Sequence, residues 1–144
     1  IISEYNLNII SPSILCGKFI NSFTKNRKII LNVSSGAANT PIASWSTYCA
    51  SKSALDKLTN VIAEEKHENL IVFSIHPGIV DTEMQLQIRS ANPNLFPLLQ
   101  KFADYHNHNE LENTTIVAEK LLYVIENHSK FHQNILSIRD VDIN

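Results

Sequence analysis

A tyrosine and a lysine four residues apart, with a serine upstream of both, are the residues of this sequence best suited to acid–base chemistry. Tyr48 and Lys52 lie in one short segment, and Ser35 precedes Tyr48 by thirteen positions. Residues four apart on a helix project from the same face. A tyrosine can give a proton to an oxygen that gains negative charge, while a serine hydroxyl hydrogen-bonds that oxygen. The three residues are therefore candidates for one site that reduces a carbonyl.

The pKa of the tyrosine decides whether it can transfer a proton near neutral pH. A phenol has an ordinary pKa of about 10, and a nearby ammonium group lowers that value by stabilising the phenolate. We expect Lys52 to lower the pKa of Tyr48 in this way. Each feature also has a simpler explanation, because a Tyr/Lys pair at helical spacing is common and Ser34-Ser35-Gly36 is an ordinary turn sequence.

A strand, helix, strand unit is predicted to position these residues. Residues 29–33 and 70–75 are apolar runs typical of strands buried on both faces of a parallel sheet. Residues 46–66, between them, carry apolar side chains at helical spacing. Since ligands bind beyond the carboxyl ends of parallel strands, Ser34-Ser35 and Pro77-Gly78 should face one crevice.

The other apolar patterns complete an α/β half-fold. They predict a helix over residues 3–23 that is kinked or restarted at Pro12, and a loop over 37–44. After the second strand they predict a long substrate loop or lid up to about residue 109, with a short helix near 95–103. A helix over 113–127 and a last strand over 135–138 follow.

Composition excludes several functional classes. The formal net charge is -2, and Lys and Arg do not cluster as contacts to nucleic-acid phosphates require. No apolar run reaches the roughly 18 residues of a membrane-spanning helix, and the first residues lack the pattern of a signal peptide. Cys16 and Cys49 lie among apolar or small residues, which predicts free thiols and a reducing compartment. We therefore expect a cytoplasmic protein that binds neither nucleic acid nor membrane.

The six histidines do not predict a metal site. His106 and His108 lie in a polar stretch that offers no convincing third ligand. His76 is expected to end a strand.

Three motifs follow one another in the order of the predicted elements. They are Asn32-Val33-Ser34-Ser35-Gly36, Tyr48-X-X-X-Lys52 and Pro77-Gly78-Ile79-Val80-Asp81-Thr82. With them the sequence resembles the short-chain dehydrogenase/reductase family, most of all its sepiapterin reductases and fungal benzil-reductase-like members. Segments 45–50 and 80–85 and the helix end at Glu64-Glu65 carry this second likeness. The resemblance implies that residues 1–144 are the C-terminal part of a single NAD(P)-binding, Rossmann-like domain with a doubly wound parallel sheet, its N-terminal half missing.

The resemblance also implies roles for the catalytic residues. Tyr48 would donate the proton, Ser35 would bind the same substrate oxygen, and Lys52 would also hydrogen-bond the nicotinamide ribose. Asn8 matches the family's fourth catalytic residue, which holds a water connected to the lysine. Alternatively, Asn8 is an ordinary helix residue that hydrogen-bonds the backbone.

For the ligands, the resemblance implies contacts after the second strand and at the end of the chain. Pro77, Gly78, Val80 and Thr82 would bind the nicotinamide end of the cofactor, with Gly78 also next to the carbonyl substrate. Asp140 would anchor a pterin amino group. Alternatively, the residues from Pro77 to Thr82 form only a strand-ending turn, and Asp140 is a solvated carboxylate. Another open alternative concerns Trp45, which could line the substrate pocket or pack against the start of its helix.

No glycine-rich phosphate loop is visible. Gly17, Gly36 and Gly78 are the only glycines, and none belongs to a Gly-X-X-X-Gly-X-Gly motif. The resemblance implies NADP as cofactor, with a phosphate loop preceding Ile1, so we expect the isolated chain to be inactive. The alternative is a non-catalytic protein that retains the family's dimerisation surface, since helices 3–23 and 46–66 would make the full-length protein a homodimer or homotetramer.

Overall fold

Three parallel strands form the centre of the fold, in the order β1-β2-β3. The computed structural model describes residues 1–22 and 25–143. β1 (Lys28–Val33) pairs with β2 (Leu70–His76), and β2 pairs with β3 (Ile135–Ser137). The predicted parallel α/β fold is confirmed, and His76 ends its strand as expected.

Helices fill the connections before, between and after the strands. They are α1 (Ile2–Tyr5), α2 (Ser11–Ser22), α3 (Ser46–Glu64), α4 (Glu83–Arg89), α5 (Leu99–Asn107) and α6 (Thr114–Glu126). In the described part of the chain, none is long and apolar enough to cross a membrane.

Successive residues of β2 pack on opposite faces of the sheet, because side chains alternate along a strand. Val72 packs with Cys16 and Ile20 of α2 and with Ile62 of α3. On the other face, Phe73 and Ile75 pack in a cluster with Val117 and Val124 of α6 and with Ile138 and Val141. Helices therefore cover both faces, as a doubly wound sheet requires.

The prediction that β1 is buried on both faces is wrong. Only Lys28 and Asn32 of this strand are buried, and Val33 is 51% exposed. β1 pairs with β2 alone among the described residues and therefore lies at an edge of the sheet. An apolar run in the sequence does not show how many neighbours a strand has.

The N-terminal helical region is continuous through Pro12, and its irregularity falls earlier. Residues Asn6–Ile10 form a π-helical turn, in which the Ser11 N–H donates to the Asn6 carbonyl. Pro12 has no N–H to donate back along the helix. The hydroxyl of Ser13 donates to the Ile9 carbonyl at 2.6 Å. The predicted end of this helix at Phe23 lies outside the described residues.

The predicted helix over residues 46–66 ends two residues early, at Glu64. Lys66 and Asn69 have positive φ angles of 51° and 58°. This left-handed conformation stops a helix. The chain can then turn sharply into β2.

The segment after β2 contains more regular structure than the sequence predicted. Helix α4 was not predicted, and the helix expected near 95–103 lies instead at Leu99–Asn107. Pro97 disfavours helical backbone at the residue before it, which explains the later start of α5. Val80 forms a parallel bridge with Glu112, so both ends of the segment lie side by side.

Three smaller predictions differ only at their ends. The predicted loop over 37–44 begins with a 3-10 turn at Gly36–Ala38. The last strand stops at Ser137, and Ile138–Asp140 form another 3-10 turn. Both cysteines are free, as predicted, with Cys16 buried and Cys49 half-buried.

Candidate active site

The predicted crevice exists at the carboxyl ends of the strands. It is a cavity of about 600 Å³. Seven of the predicted site residues line it together: Ser35, Tyr48, Lys52, Pro77, Gly78, Val80 and Thr82. Asn8 and Asp140 are not among the lining residues.

Ser35 and Tyr48 meet across the gap between β1 and α3. Ser35 has extended backbone and caps the 3-10 turn, where its hydroxyl accepts a hydrogen bond from the Ala37 N–H at 3.2 Å. The Ser35 side chain also hydrogen-bonds Tyr48. The two hydroxyl groups are therefore close enough to contact one oxygen atom between them.

The expectation that Lys52 lowers the pKa of Tyr48 is wrong for this structure. Burial raises the pKa of Tyr48, and the hydrogen bond with Ser35 offsets only part of that increase. A phenolate loses more hydration on burial than a neutral phenol does. Tyr48 therefore stays protonated near neutral pH.

Lys52 is held by the backbone of the neighbouring strand. Its Nζ donates to the Val33 carbonyl at 2.9 Å and lies 5.7 Å from the centroid of the Tyr48 ring. Burial lowers the pKa of the Lys52 ammonium, whereas the negative charge of Asp56 acts in the opposite direction. Lys52 is thus a partly desolvated cation in the cavity wall.

Asn8 supports the turn of α3 that carries Tyr48. Its Nδ2 donates to Ser51 Oγ at 3.1 Å, and the Ser51 hydroxyl donates to the Tyr48 carbonyl at 2.9 Å. Asn8 and Lys52 both line a smaller apolar groove beside β1. The side-chain amide of Asn8, in the π-helical turn, thus contacts a side chain of α3 and not the backbone.

The turn after β2 forms the floor of the cavity. Gly78 has a φ of 82°, and a Cβ there would lie 3.2 Å from Arg139 Nε and 3.4 Å from Glu112 Cγ. A residue with a side chain would be strained at this position. Thr82 is exposed, and its hydroxyl donates to the Val80 carbonyl at 3.3 Å.

Asp140 lies outside the cavity lining and is exposed, whereas its neighbour Arg139 lines the cavity. Arg139 Nε is 3.6 Å from the Glu112 carboxylate. Arg139 and Asp140 are consecutive charged residues, so the sequence does not show which side chain faces the cavity. Only the 3-10 turn at the end of β3 decides which one faces the cavity.

An aromatic cluster that the sequence did not predict forms one wall. The Trp45 ring is stacked on Phe96 with centroids 5.4 Å apart, and it meets Tyr48 edge-on at the same distance. Phe102 joins both Trp45 and Phe96. Trp45 and Phe102 line the cavity, whereas Phe96 packs on Trp45 outside the lining. Trp45 thus lines the pocket and also packs at the start of α3. Phe102 and Tyr105, three apart on α5, were the signal in the sequence for an aromatic face.

The lining also contains a buried acceptor with no partner. Gln85 is 7% exposed, and its Oε1 has no hydrogen-bond partner among the described residues. Arg89 Nη1, one turn later on α4, also has no hydrogen-bond partner among the described residues. Buried polar atoms of this kind are rare in folded proteins. A ligand with a hydrogen-bond donor would satisfy Gln85.

Three basic side chains line the cavity, and two carboxylates lie just outside the lining: Glu112 is 3.6 Å from Arg139 and Asp56 is 2.8 Å from His76. Lys52, Lys101 and Arg139 line it together with His76, and no carboxylate belongs to the lining that the structure describes. Such a lining favours an anionic ligand. Within residues 1–22 and 25–143, no group of three His, Cys, Asp or Glu side chains could hold a metal ion.

The fold and this cavity define an α/β protein with a ligand site at the carboxyl ends of parallel strands. Comparison with protein families matches residues 1–93 to the short chain dehydrogenase family. The chain therefore belongs to the short-chain dehydrogenase/reductase family.

Individual relatives agree with this assignment. Benzil reductase ((S)-benzoin forming) of Bacillus subtilis is 35% identical over 130 residues, which are 85% of this chain and 53% of the relative. Sepiapterin reductase of Xenopus tropicalis is 30% identical over 87% of this chain and 49% of the relative. The predicted likeness to these reductases is confirmed. The chain spans about half the length of the curated relatives it matches.

A solved structure gives the same result for the fold. The short chain dehydrogenase/reductase YIR035C of Saccharomyces cerevisiae matches with a TM-score of 0.78 and 29% identity, over 94% of this chain and 55% of that chain. The Rossmann-like fold class is therefore confirmed.

Proposed function

We propose that this chain carries the proton-transfer and nicotinamide-binding part of an NADPH-dependent reductase that converts a carbonyl to an alcohol. One observation supports this most directly: Ser35, Tyr48, Lys52 and the turn at Pro77-Gly78 line a single cavity. The relatives named as benzil and sepiapterin reductases support the same reaction class.

Tyr48 is proposed as the proton donor. The phenol is protonated near neutral pH, as a proton donor to a developing alkoxide must be. Its raised pKa makes it a weaker acid, so the proposed role rests on its position beside Ser35 in the cavity. Ser35 contacts Tyr48 and would hydrogen-bond the same substrate oxygen. When bound, the reduced nicotinamide supplies the hydride that the carbonyl carbon accepts. Asn8 would hold the Tyr48 turn of α3 in place through Ser51.

The residues present fit a nicotinamide cofactor. The positively charged lining suits a phosphate-bearing ligand, and Gln85 offers an unpaired acceptor to a hydrogen-bond donor. Lys52 would hold the nicotinamide ribose, and the carboxamide end would bind at Pro77, Gly78, Val80 and Thr82. We propose NADP rather than NAD because the sequence resembles the sepiapterin reductases.

The proposed substrates are aromatic dicarbonyls or a sepiapterin-like pterin. Trp45, Phe102 and Tyr105 give the cavity an aromatic lining against which an aromatic ring of the substrate would pack. Asp140 is proposed as an anchor for a substrate amino group. This role rests only on its position in the sequence, because the side chain is exposed and lies outside the cavity lining.

The binding part of the proposal can be tested on the 144-residue chain by fluorescence. Trp45 is the single tryptophan and lies in the cavity wall, so its emission reports on ligands there. We expect benzil and sepiapterin to quench it saturably and NADPH to bind more weakly than micromolar. Micromolar NADPH binding would show that the chain needs no further phosphate loop.

The chemical part is tested by removing the phenol hydroxyl in a form of the protein that reduces benzil with NADPH. Tyr48→Phe should lower the rate by at least about 100-fold, since the proton donor is lost. Tyr105→Phe is the matched control, because Tyr105 lines the same cavity without the contact to Ser35. Full activity of Tyr48→Phe would disprove the mechanism.

A second candidate function is self-association without catalysis, favoured by the apolar surface of the N-terminal helical region. Ile2, Leu7 and Leu15 are 78%, 73% and 65% exposed. Exposed apolar patches of this kind mark interfaces. Light scattering should show a dimer or tetramer that Leu15→Glu dissociates and the control Lys18→Glu does not. A monomer at every concentration would reject the homodimer and homotetramer.

A further inference from the structure

A buried carboxylate one helical turn after Lys52 has no part in the proton transfer proposed above. Asp56 lies on α3 and is 5% exposed. Its Oδ1 accepts a hydrogen bond from Ser74 Oγ at 2.5 Å, and its Oδ2 lies 2.8 Å from His76 Nε2. Because an ionised carboxylate can only accept, Nε2 carries the proton in this contact. Asp56 thus joins α3 to the last residues of β2.

The contacts of Asp56 are sufficient to keep it ionised. Burial raises the pKa of Asp56, but hydrogen bonds from His76 and then Ser74 more than offset burial, so that the pKa falls below its ordinary value. A buried anion is tolerated only when it is partnered in this way. The charge therefore persists at neutral pH.

Two parts of the site face this charge. On α3, the ammonium of Lys52 is partly desolvated, and the field of Asp56 opposes the resulting loss of its proton. On β2, His76 lines the cavity and directly precedes Pro77 and Gly78. The neutral hydroxyl of Ser34, directly after β1, donates to the Lys52 carbonyl at 3.3 Å and also helps to lower the pKa of Asp56.

We propose that Asp56 is a positioning residue that couples the two halves of the site: its charge stabilises the Lys52 ammonium, and its hydrogen bonds to Ser74 and His76 fix the turn at Pro77 and Gly78. The importance of this coupling for catalysis rests on the proposed function. The coupling itself can be measured without cofactor or substrate.

The test is an NMR titration of the 144-residue chain with labelled lysine. Asp56→Asn should lower the pKa of Lys52 and shift the amide signal of Gly78, and Asp56→Glu should restore the Lys52 pKa at least in part. Glu64→Gln is the matched control, because it removes the same charge from an exposed position of the same helix. An unchanged Lys52 pKa in Asp56→Asn would overturn the proposal, whatever the outcome of the activity assays.

A second measurement keeps the proposal testable if Asp56→Asn does not fold. His76→Leu and Ser74→Ala each remove one hydrogen-bond donor to the carboxylate, and each should raise the pKa of Asp56, as measured by carbon NMR. In the unaltered chain, the stabilisation from Asp56 should be complete above the unfolded pKa of about 3.9 and should disappear as the pH falls through the lower folded value. If neither variant moves the Asp56 pKa, the hydrogen bonds do not hold this group and the proposal fails.

Discussion

The two walls of the cavity are held in place by different kinds of interaction. The wall formed by β1 and α3 is anchored by buried polar contacts, such as Asn32 Nδ2 donating to Thr59 Oγ1 at 2.9 Å. In the opposite wall, residues 79–112, the rings of Phe96 and Phe102 pack against each other and against Trp45 at the start of α3.

This difference matches what each wall has to do. Hydrogen bonds depend on angle as well as distance, so they can fix Ser35 and Tyr48 for proton transfer. The burial of apolar ring surface is less directional, and it supplies area rather than exact placement. A wall of rings can therefore accept ligands of different shape while the chemistry next to it stays in place.

The largest expected effect is the loss of a ring from the aromatic wall. Phe102→Ala should cost about 3–5 kcal/mol of packing free energy, because Phe102 is 8% exposed and contacts three other rings. We expect α5 to lose protection in hydrogen exchange and the Trp45 emission to move to the red. Leu95→Ala is the control, since Leu95 is 72% exposed in the same segment. Equal effects of both changes would show that the rings do not hold this wall.

A smaller effect is expected from removing one hydrogen bond of the polar wall. Thr59→Val keeps the shape of the side chain but leaves the Asn32 amide without its acceptor, which should cost about 1–3 kcal/mol. Thr59 is fully buried, whereas Thr115 is exposed, so Thr115→Val should change the free energy of unfolding by less than about 0.5 kcal/mol. Urea unfolding measures both. If the two variants were equally stable, the polar contacts would not anchor this wall.

The smallest effect is expected where the two walls meet, at Gly78. Gly78→Ala should destabilise the chain by about 1–2 kcal/mol, because φ is positive and the new Cβ would crowd Arg139 and Glu112. Gly17→Ala is the opposite case, a helical glycine with open space around it, and should stabilise the chain by about 0.5–1 kcal/mol. Thermal unfolding compares the two. Stabilisation by both substitutions would mean that the turn is not strained.

The sequence alone was sufficient for the order of the three strands, for the helices before and between β1 and β2, and for the first wall of the site, but not for helix α4. Apolar runs and helical spacing are local patterns, and they placed Ser35 at a strand end and Tyr48 and Lys52 on one helix face. The turn at Pro77-Gly78 was located for the same reason. These residues do line one cavity.

Only the tertiary structure decided the charge state of the tyrosine and the form of the second wall. Lys52 turns to the Val33 carbonyl, and burial, rather than the ammonium group, controls the pKa of Tyr48. Trp45 and Phe96 are fifty-one positions apart in the chain, so no local pattern could pair them. Burial and ring packing depend on neighbours that are distant in sequence, whereas spacing within a helix or strand does not.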